Sequence, residues 1–185
     1  MTRPVPGGRR RVDHVLAADF LDGLAVLPLS ELRAKRREAE QEEADLSYLR
    51  RMLHGRMSII EAELRRRDPD SDAGSVVDSL STILGDEQRS TRGLGRHLTV
   101  EPSRVDEHRR GEEQIIADAI ISDVSARTDD ELRDALVRLQ AHETDISEVR
   151  RTVQNVMDAL SAELTARYRD GSASVDELLA PGAGA

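Results

Sequence analysis

The stretch that decides the fold occurs twice in this chain. Residues 30–67 read SELRAKRREAEQEEADLSYLRRMLHGRMSIIEAELRRR, and residues 130–167 read DELRDALVRLQAHETDISEVRRTVQNVMDALSAELTAR. The two stretches align without a gap at an offset of 100, with identical pairs that include Glu31/Glu131, Leu32/Leu132, Arg33/Arg133, Glu43/Glu143, Asp45/Asp145, Ser47/Ser147, Arg50/Arg150, Arg51/Arg151, Met57/Met157, Glu63/Glu163 and Leu64/Leu164. Apolar positions upstream also match, which extends the copies to 12–67 and 112–167. The chain therefore contains one module twice.

Each copy is predicted to be a short helix, a break and a long helix. The breaks are Leu27-Pro28-Leu29-Ser30 and Thr128-Asp129-Asp130-Glu131. Proline is tolerated in a first helical turn, and Thr-x-x-Glu is a capping-box pattern, so both long helices are expected to start at the same aligned point.

An apolar seam follows each break at steps of three and four residues. Its members are Leu46, Leu49, Leu53, Met57, Ile60 and Leu64 in the first copy, and Ile146, Val149, Val153, Met157, Leu160 and Leu164 in the second. Because either seam alone would leave large aliphatic side chains in water, we expect the two to pack against each other. The predicted fold is all-α: a long antiparallel two-helix coiled coil built from the repeat, with short flanking helices.

Composition limits the remaining structure and the cellular setting. Charged residues make up 34% of the 185 residues and aromatic residues 2%, which favours one elongated helical unit. Residues 68–111 are predicted to be a flexible linker, and residues 1–11 and 170–185 to be tails. No apolar run reaches the roughly 20 residues that a membrane helix needs, and the N-terminus lacks a secretory signal. We expect a cytoplasmic protein without a membrane contact.

Several function classes are disfavoured. The chain has no cysteine, and its histidines lack zinc-protease spacing, so neither thiolate chemistry nor a metal site is expected. Phosphate-binding loop, nucleophile-elbow and dinucleotide motifs are also missing, which argues against an enzyme. Carboxylates on an exposed helix flank are expected to keep unshifted pKa values. The net charge of −9 argues against direct DNA binding.

A polar stripe runs beside the apolar seam in both copies. It consists of Glu143, Ser147, Arg150, Gln154 and Asp158 in the second copy, and of Glu43, Ser47, Arg50, His54 and Ser58 in the first. At this spacing the side chains fall within an arc of about 80°. Arginine and carboxylate groups together recognise guanine on two edges, and arginine binds phosphate. Cyclic di-GMP, with two guanines, two phosphates and a two-fold axis, suits a doubled stripe, although free guanine nucleotides and acidic peptides suit it as well.

The spacing E-x3-S-x2-R-x3-Q-x3-D at residues 143–158 resembles the signature of the RsiG family, cyclic-di-GMP-dependent anti-sigma factors. The resemblance covers about 17–67 and 117–167. It implies that two intercalated cyclic di-GMP molecules bind across the helices, and that the loaded protein sequesters the sporulation sigma factor WhiG. The ligand-binding residues are then Glu43, Ser47, Arg50, His54, Glu143, Ser147, Arg150, Gln154 and Asp158. The first copy departs from the pattern at His54 and Ser58, so the two halves of the site are expected to be unequal.

A coiled-coil scaffold or oligomer, with the polar stripe merely solvated, is the main alternative. If the chain does bind a sigma factor, two surfaces are candidates. One is an exposed acidic face at Glu38, Glu40, Glu42 and Glu43, and the other is the apolar set Phe20, Leu21 and Leu24. Packing inside the protein explains the apolar set equally well.

Overall fold

The computed structural model describes residues 4–69 and 123–171. The first range contains helix α1 (Arg11–Val15), a 3₁₀ turn (Leu24–Val26) and helix α2 (Leu29–Arg67). The second range contains a 3₁₀ turn (Val124–Ala126) and helix α3 (Asp129–Arg169). Across these two ranges the structure has no strand. Most of the predicted linker, the predicted short helix of the second copy and the tail from residue 172 lie outside the described residues.

The described chain forms two compact units. Unit 1 contains residues 44–69 and 123–148, and unit 2 contains residues 4–43 and 149–171. The division between them crosses both long helices, so each unit combines part of the first copy with part of the second. The duplicated module is therefore not the compact unit of the fold.

The long helices begin at aligned positions, Leu29 and Asp129, as the repeat predicts. Thr128 N donates to Glu131 Oε2 at 2.9 Å, and Glu131 N donates to Thr128 Oγ1 at 3.3 Å, which confirms the predicted capping box. Pro28 precedes α2, and its carbonyl accepts the first helical hydrogen bond from Leu32 N at 3.0 Å. The carbonyl of Thr128 accepts the equivalent bond from Leu132 N, also at 3.0 Å. The two helix starts therefore share this bond and differ in the side-chain capping box of the second copy.

Contacts across the long helices show their direction within each unit. In unit 1 the cross-helix ion pairs are Arg50–Glu143 and Arg67–Asp129. In unit 2 the cross-helix contacts include Arg150–Glu43 and Arg33–Tyr168. In both units residue number rises along one helix as it falls along the other, so the helices are antiparallel. The predicted all-α fold with two long helices packed antiparallel is confirmed.

The predicted seam forms the core. Of its twelve residues nine are buried, while Met57, Leu64 and Met157 are half-buried. The burial continues toward the N-termini of both helices, beyond the predicted seam, through Leu32, Ala39, Leu132, Ala135 and Leu139. A buried leucine contributes about 1.5–3 kcal/mol relative to an exposed one. The apolar seam between the two helices is therefore longer than predicted.

The N-terminal segment packs on α2 within unit 2. Phe20 is only 2% exposed. Its carbonyl accepts a hydrogen bond from Lys35 Nζ at 2.8 Å, and the same ammonium lies 4.2 Å from the ring centroid. His14 Nδ1 also lies 2.7 Å from Glu38 Oε1. Of the two alternatives for the apolar set, packing inside the protein therefore holds at Phe20, which belongs to the core of unit 2.

Buried carboxylates hold this segment in place. Glu42 is fully buried, with Arg11 Nε 3.2 Å from its Oε2, so the expected exposed acidic face is wrong at this position. Asp13 accepts hydrogen bonds from the Arg10 side chain and from Val5 N. The Arg10 guanidinium, chiefly, holds the pKa of Asp13 at about 2 despite its burial. Residues 5–10 are thus attached to α1.

Two equivalent arginines join the end of each long helix to the turn before the other. In unit 1, Arg67 donates to the carbonyls of Val124 and Arg127. In unit 2, Arg167 donates to the carbonyls of Leu24 and Leu27. This role is not evident from the helical pattern, although Arg67 and Arg167 are identical at the last aligned position.

Candidate ligand-binding site

The unit 1 half-site is centred on one carboxylate oxygen. Glu143 Oε1 accepts hydrogen bonds from Ser147 Oγ at 2.7 Å and Arg50 Nε at 2.9 Å, and His54 Nε2 lies 3.2 Å away. Ser147 stands one turn further along α3, whereas Arg50 and His54 come from α2. Because an ionised carboxylate only accepts, the His54 contact requires a proton on Nε2. Four stripe residues from the two copies therefore meet at one atom.

This environment changes the acidity of Glu143. Burial would raise its pKa, but the hydrogen bonds from Ser147, Arg50 and His54 outweigh burial and lower the pKa from 4.5 to about 2. The expectation of an unshifted carboxylate on the helix flank is wrong at this position. Glu143 stays ionised at neutral pH and presents a fixed negative charge.

The unit 2 half-site repeats the arrangement with the copies exchanged. Glu43 Oε1 accepts hydrogen bonds from Arg150 Nε at 2.9 Å and from Gln154 Nε2 at 3.0 Å. The glutamate now comes from α2, and its partners come from α3. The arginine-to-glutamate distance equals that in unit 1, so the ion pair is the shared element of the two half-sites.

The remaining stripe residues divide between the units. Ser47 and Ser58 are half-buried in unit 1, whereas Asp158 is exposed in unit 2. Asp158 accepts no hydrogen bond from the described residues. Both positions at which the first copy departs from the pattern, His54 and Ser58, belong to unit 1. The two halves of the expected ligand site therefore differ because unit 1 contains both departures from the pattern.

Each half-site offers donors and acceptors to a ligand. The ion pair engages the arginine through Nε, and a guanidinium has further N–H groups suited to guanine or phosphate. The side chains of Arg50 and Arg150 are 37% and 28% exposed. The glutamate supplies an acceptor for guanine N1–H and N2–H, and residue 54 or 154 supplies a donor. The arrangement can bind a planar, anionic ligand.

Comparison with known proteins places this arrangement in a family. A family model described as RsiG-like matches residues 18–84 and 118–181, which is more than half of the chain and includes every stripe residue of both half-sites. The chain belongs to the RsiG-like family. Membership of the RsiG-like family indicates an anti-sigma factor role, which is regulatory and not enzymatic, and it implies a sigma factor as partner. A comparison with curated proteins found no match.

Two other features of the RsiG-like chain concern its described residues alone. Among residues 4–69 and 123–171, no helix combines the length and apolar character needed to cross a bilayer. In the same ranges, no cluster of three or more histidine, aspartate or glutamate side chains is arranged to hold a metal ion.

Proposed function

We propose that this chain is an anti-sigma factor that binds cyclic di-GMP at the two half-sites and, when loaded, sequesters a sporulation sigma factor of the WhiG type. The observation that supports the ligand is the doubled ion pair. In each unit a stripe glutamate of one copy meets the stripe arginine of the other copy at 2.9 Å. Cyclic di-GMP has two guanines and two phosphates, so the same chemical groups suit both half-sites.

The chemistry of one half-site suits one guanine with its phosphate. The glutamate accepts from guanine N1–H and N2–H, while the arginine donates to O6 and N7 or to a phosphate oxygen. The existing ion pair already holds both side chains in position, so binding loses less conformational entropy than it would with mobile side chains. The ligand must nevertheless replace part of that ion pair, which limits the net gain.

Regulation follows from a ligand that contacts both helices. Because each half-site takes residues from α2 and α3, bound nucleotide stabilises the paired helices relative to separated ones. A sigma factor that binds the paired helices then binds more tightly when nucleotide is present. By thermodynamic linkage, the sigma factor increases nucleotide affinity by the same factor.

Calorimetry with the full chain and its point variants tests the ligand. Wild-type protein should bind cyclic di-GMP, and Arg150→Ala should weaken binding about a hundredfold, since it removes charge-assisted hydrogen bonds worth on the order of 3 kcal/mol. Arg151→Ala is the matched control, because Arg151 is exposed and follows immediately in α3. Helicity by circular dichroism should be unchanged in both variants. Normal binding by Arg150→Ala would refute the assignment.

The sigma factor arm uses the same titration. Adding WhiG-type sigma factor should increase nucleotide affinity in wild-type protein, and nucleotide should increase sigma factor affinity by the same factor. Equal affinities with and without the second partner would rule out the coupling while leaving nucleotide binding intact.

A coiled-coil scaffold is the second candidate. It is favoured by one observation: the cross-helix ion pairs satisfy the two stripe glutamates without any ligand. A scaffold should release no heat with cyclic di-GMP, and its mass in sedimentation equilibrium should rise with protein concentration.

A further inference from the structure

A basic groove lies in unit 2 beyond its half-site. Its volume is about 430 Å³, and it runs between the N-terminal part of α2 and the C-terminal part of α3. Its polar and charged lining includes Arg33, Arg36, Arg37, Glu40, Ser161 and Tyr168. None of these residues belongs to the polar stripe.

The groove carries an excess of positive charge in a chain of net charge −9. Its lining has three arginines against one glutamate. Arg36 NH2 lies 2.7 Å from Glu40 Oε1, and Arg33 donates to the Tyr168 hydroxyl. Arg37 is exposed and has no hydrogen bond or ion pair within the described residues. Glu40 therefore neutralises only part of the charge, and the groove favours an anion.

A buried donor in the groove also lacks an acceptor. Arg36 Nε is inaccessible to solvent and has no hydrogen-bond partner among the described residues. Buried N–H groups are almost always paired, so Arg36 gains a hydrogen bond if its side chain turns Nε toward an acceptor in the groove. The Arg36 side chain is 36% exposed, which leaves room for this change. Phosphate oxygens match guanidinium groups in geometry and charge.

The groove continues the polar stripe of the unit 2 half-site. On α2, Arg36 and Glu40 precede Glu43 at steps of four and three. On α3, Ser161 and Tyr168 lie on the face that carries Gln154, at helical spacing. The seven residues from Arg36 to Glu43 correspond to roughly 10 Å along the helix axis. A phosphorylated ligand that extends beyond the half-site therefore reaches the groove.

Unit 1 has a groove at the equivalent place, with a more balanced charge. Its volume is about 490 Å³, and its charged lining residues are Arg65, Arg67 and Arg133 against Asp68 and Asp129. At the offset of 100, Leu136 and Val137 replace Arg36 and Arg37. Val137 is 64% exposed, which leaves an apolar side chain at the position of a cation. The larger excess of positive charge is therefore a feature of the unit 2 groove.

We propose that this groove is an additional phosphate-binding site, in which Arg36 and Arg37 hold a phosphate group of a nucleotide bound at the adjoining Glu43–Arg150 half-site. The nucleotide part of the proposal rests on the proposed function. The affinity of the groove for phosphate does not, so the two can fail separately.

The first experiment measures phosphate binding alone. The Nε–Hε resonance of Arg36, assigned by its loss in Arg36→Gln, is followed by nuclear magnetic resonance in the full chain during titration with sodium pyrophosphate. It should shift and saturate, and Arg37→Gln should weaken this binding about tenfold. Arg133→Gln, on an exposed arginine of unit 1, should leave it unchanged. An equal shift with sodium chloride at the same ionic strength, or tighter binding of succinate than of pyrophosphate, overturns the proposal.

The second experiment links the groove to the nucleotide. In calorimetry, Arg36→Gln should weaken cyclic di-GMP binding about tenfold with unchanged helicity. If Arg36→Gln binds normally while Arg150→Ala does not, the groove proposal fails and the proposed function stands. If pyrophosphate binds the groove but wild-type protein binds no cyclic di-GMP, the phosphate site stands and the proposed function fails.

Discussion

The two half-sites have the same ion pair but different surroundings. Glu143 with Arg50 in unit 1 and Glu43 with Arg150 in unit 2 are joined at the same distance, 2.9 Å. The third partner differs, being His54 in unit 1 and Gln154 in unit 2. After duplication, therefore, the arginine–glutamate pair was kept in both units, while the side chains around it diverged.

In unit 2 the N-terminal segment packs beside α2. It contacts α2 through Arg11–Glu42 and Phe20–Lys35. On α3, the residues aligned with Glu42 and Lys35 are His142 and Ala135. Because neither side chain can make the contact that its counterpart makes in unit 2, these two contacts are not part of the repeat.

The largest expected effect tests how the N-terminal segment is attached to α2. Phe20→Ala should lower the free energy of unfolding by about 3 kcal/mol, because it removes a buried aromatic ring and its contact with Lys35. Urea denaturation followed by circular dichroism measures the change. Val26→Ala is the control, since Val26 is 85% exposed and should change stability by less than about 0.5 kcal/mol. Equal effects of the two substitutions would show that the segment contributes nothing to unit 2.

An intermediate effect is expected at the carboxylate of unit 1. Glu143→Gln should lower the free energy of unfolding by about 1–2 kcal/mol at pH 7, because it removes the charge that Arg50 and Ser147 contact. The folded pKa of Glu143, about 2, lies below its usual 4.5. The stabilisation is therefore fully present above about pH 4.5 and is lost as pH falls toward 2.

Urea titrations at pH 7 and pH 3 provide the measurement for Glu143. The difference between wild type and Glu143→Gln should shrink at the lower pH. Glu61→Gln, on an exposed face of α2 in unit 1, is the control and should show no such trend. A difference that is constant with pH would mean that the carboxylate charge does not stabilise the unit.

The smallest expected effect tests whether His54 and Ser58 make the two half-sites differ in ligand affinity. His54→Gln combined with Ser58→Asp completes the motif in the first copy and should make unit 1 resemble unit 2. We expect cyclic di-GMP affinity to rise about fivefold, equivalent to about 1 kcal/mol, in calorimetry. The reverse pair, Gln154→His with Asp158→Ser, should lower it. Unchanged affinity in both variants would show that these positions do not distinguish the units.

Much of the helical structure is predictable because it depends on local patterns. The seam from Leu46 to Leu64 appears as apolar spacing, and the start of α3 appears as the Thr128–Glu131 pattern. Each signal relates residues that are only three or four positions apart along the chain. Neither requires knowledge of what the other helix presents.

Predictions from the sequence were wrong where the burial or the pKa of a side chain depended on residues far away in the chain. Glu42 looks like one more surface glutamate among Glu38 and Glu40, but the N-terminal segment covers it and brings Arg11 to its carboxylate. The lowered pKa of Glu143 likewise required knowing that Arg50 and His54 of the other copy lie against it. Burial and pairing are properties of the packed unit.

By itself, the sequence determined the duplication, the two long helices, their apolar seam and the polar stripe, because periodicity and capping act over short distances along one helix. Only the tertiary structure decided that each glutamate pairs with the arginine of the other copy and that Arg36 and Tyr168 share a groove. These pairings join residues about a hundred or more positions apart, and antiparallel packing within each unit selects which of them meet.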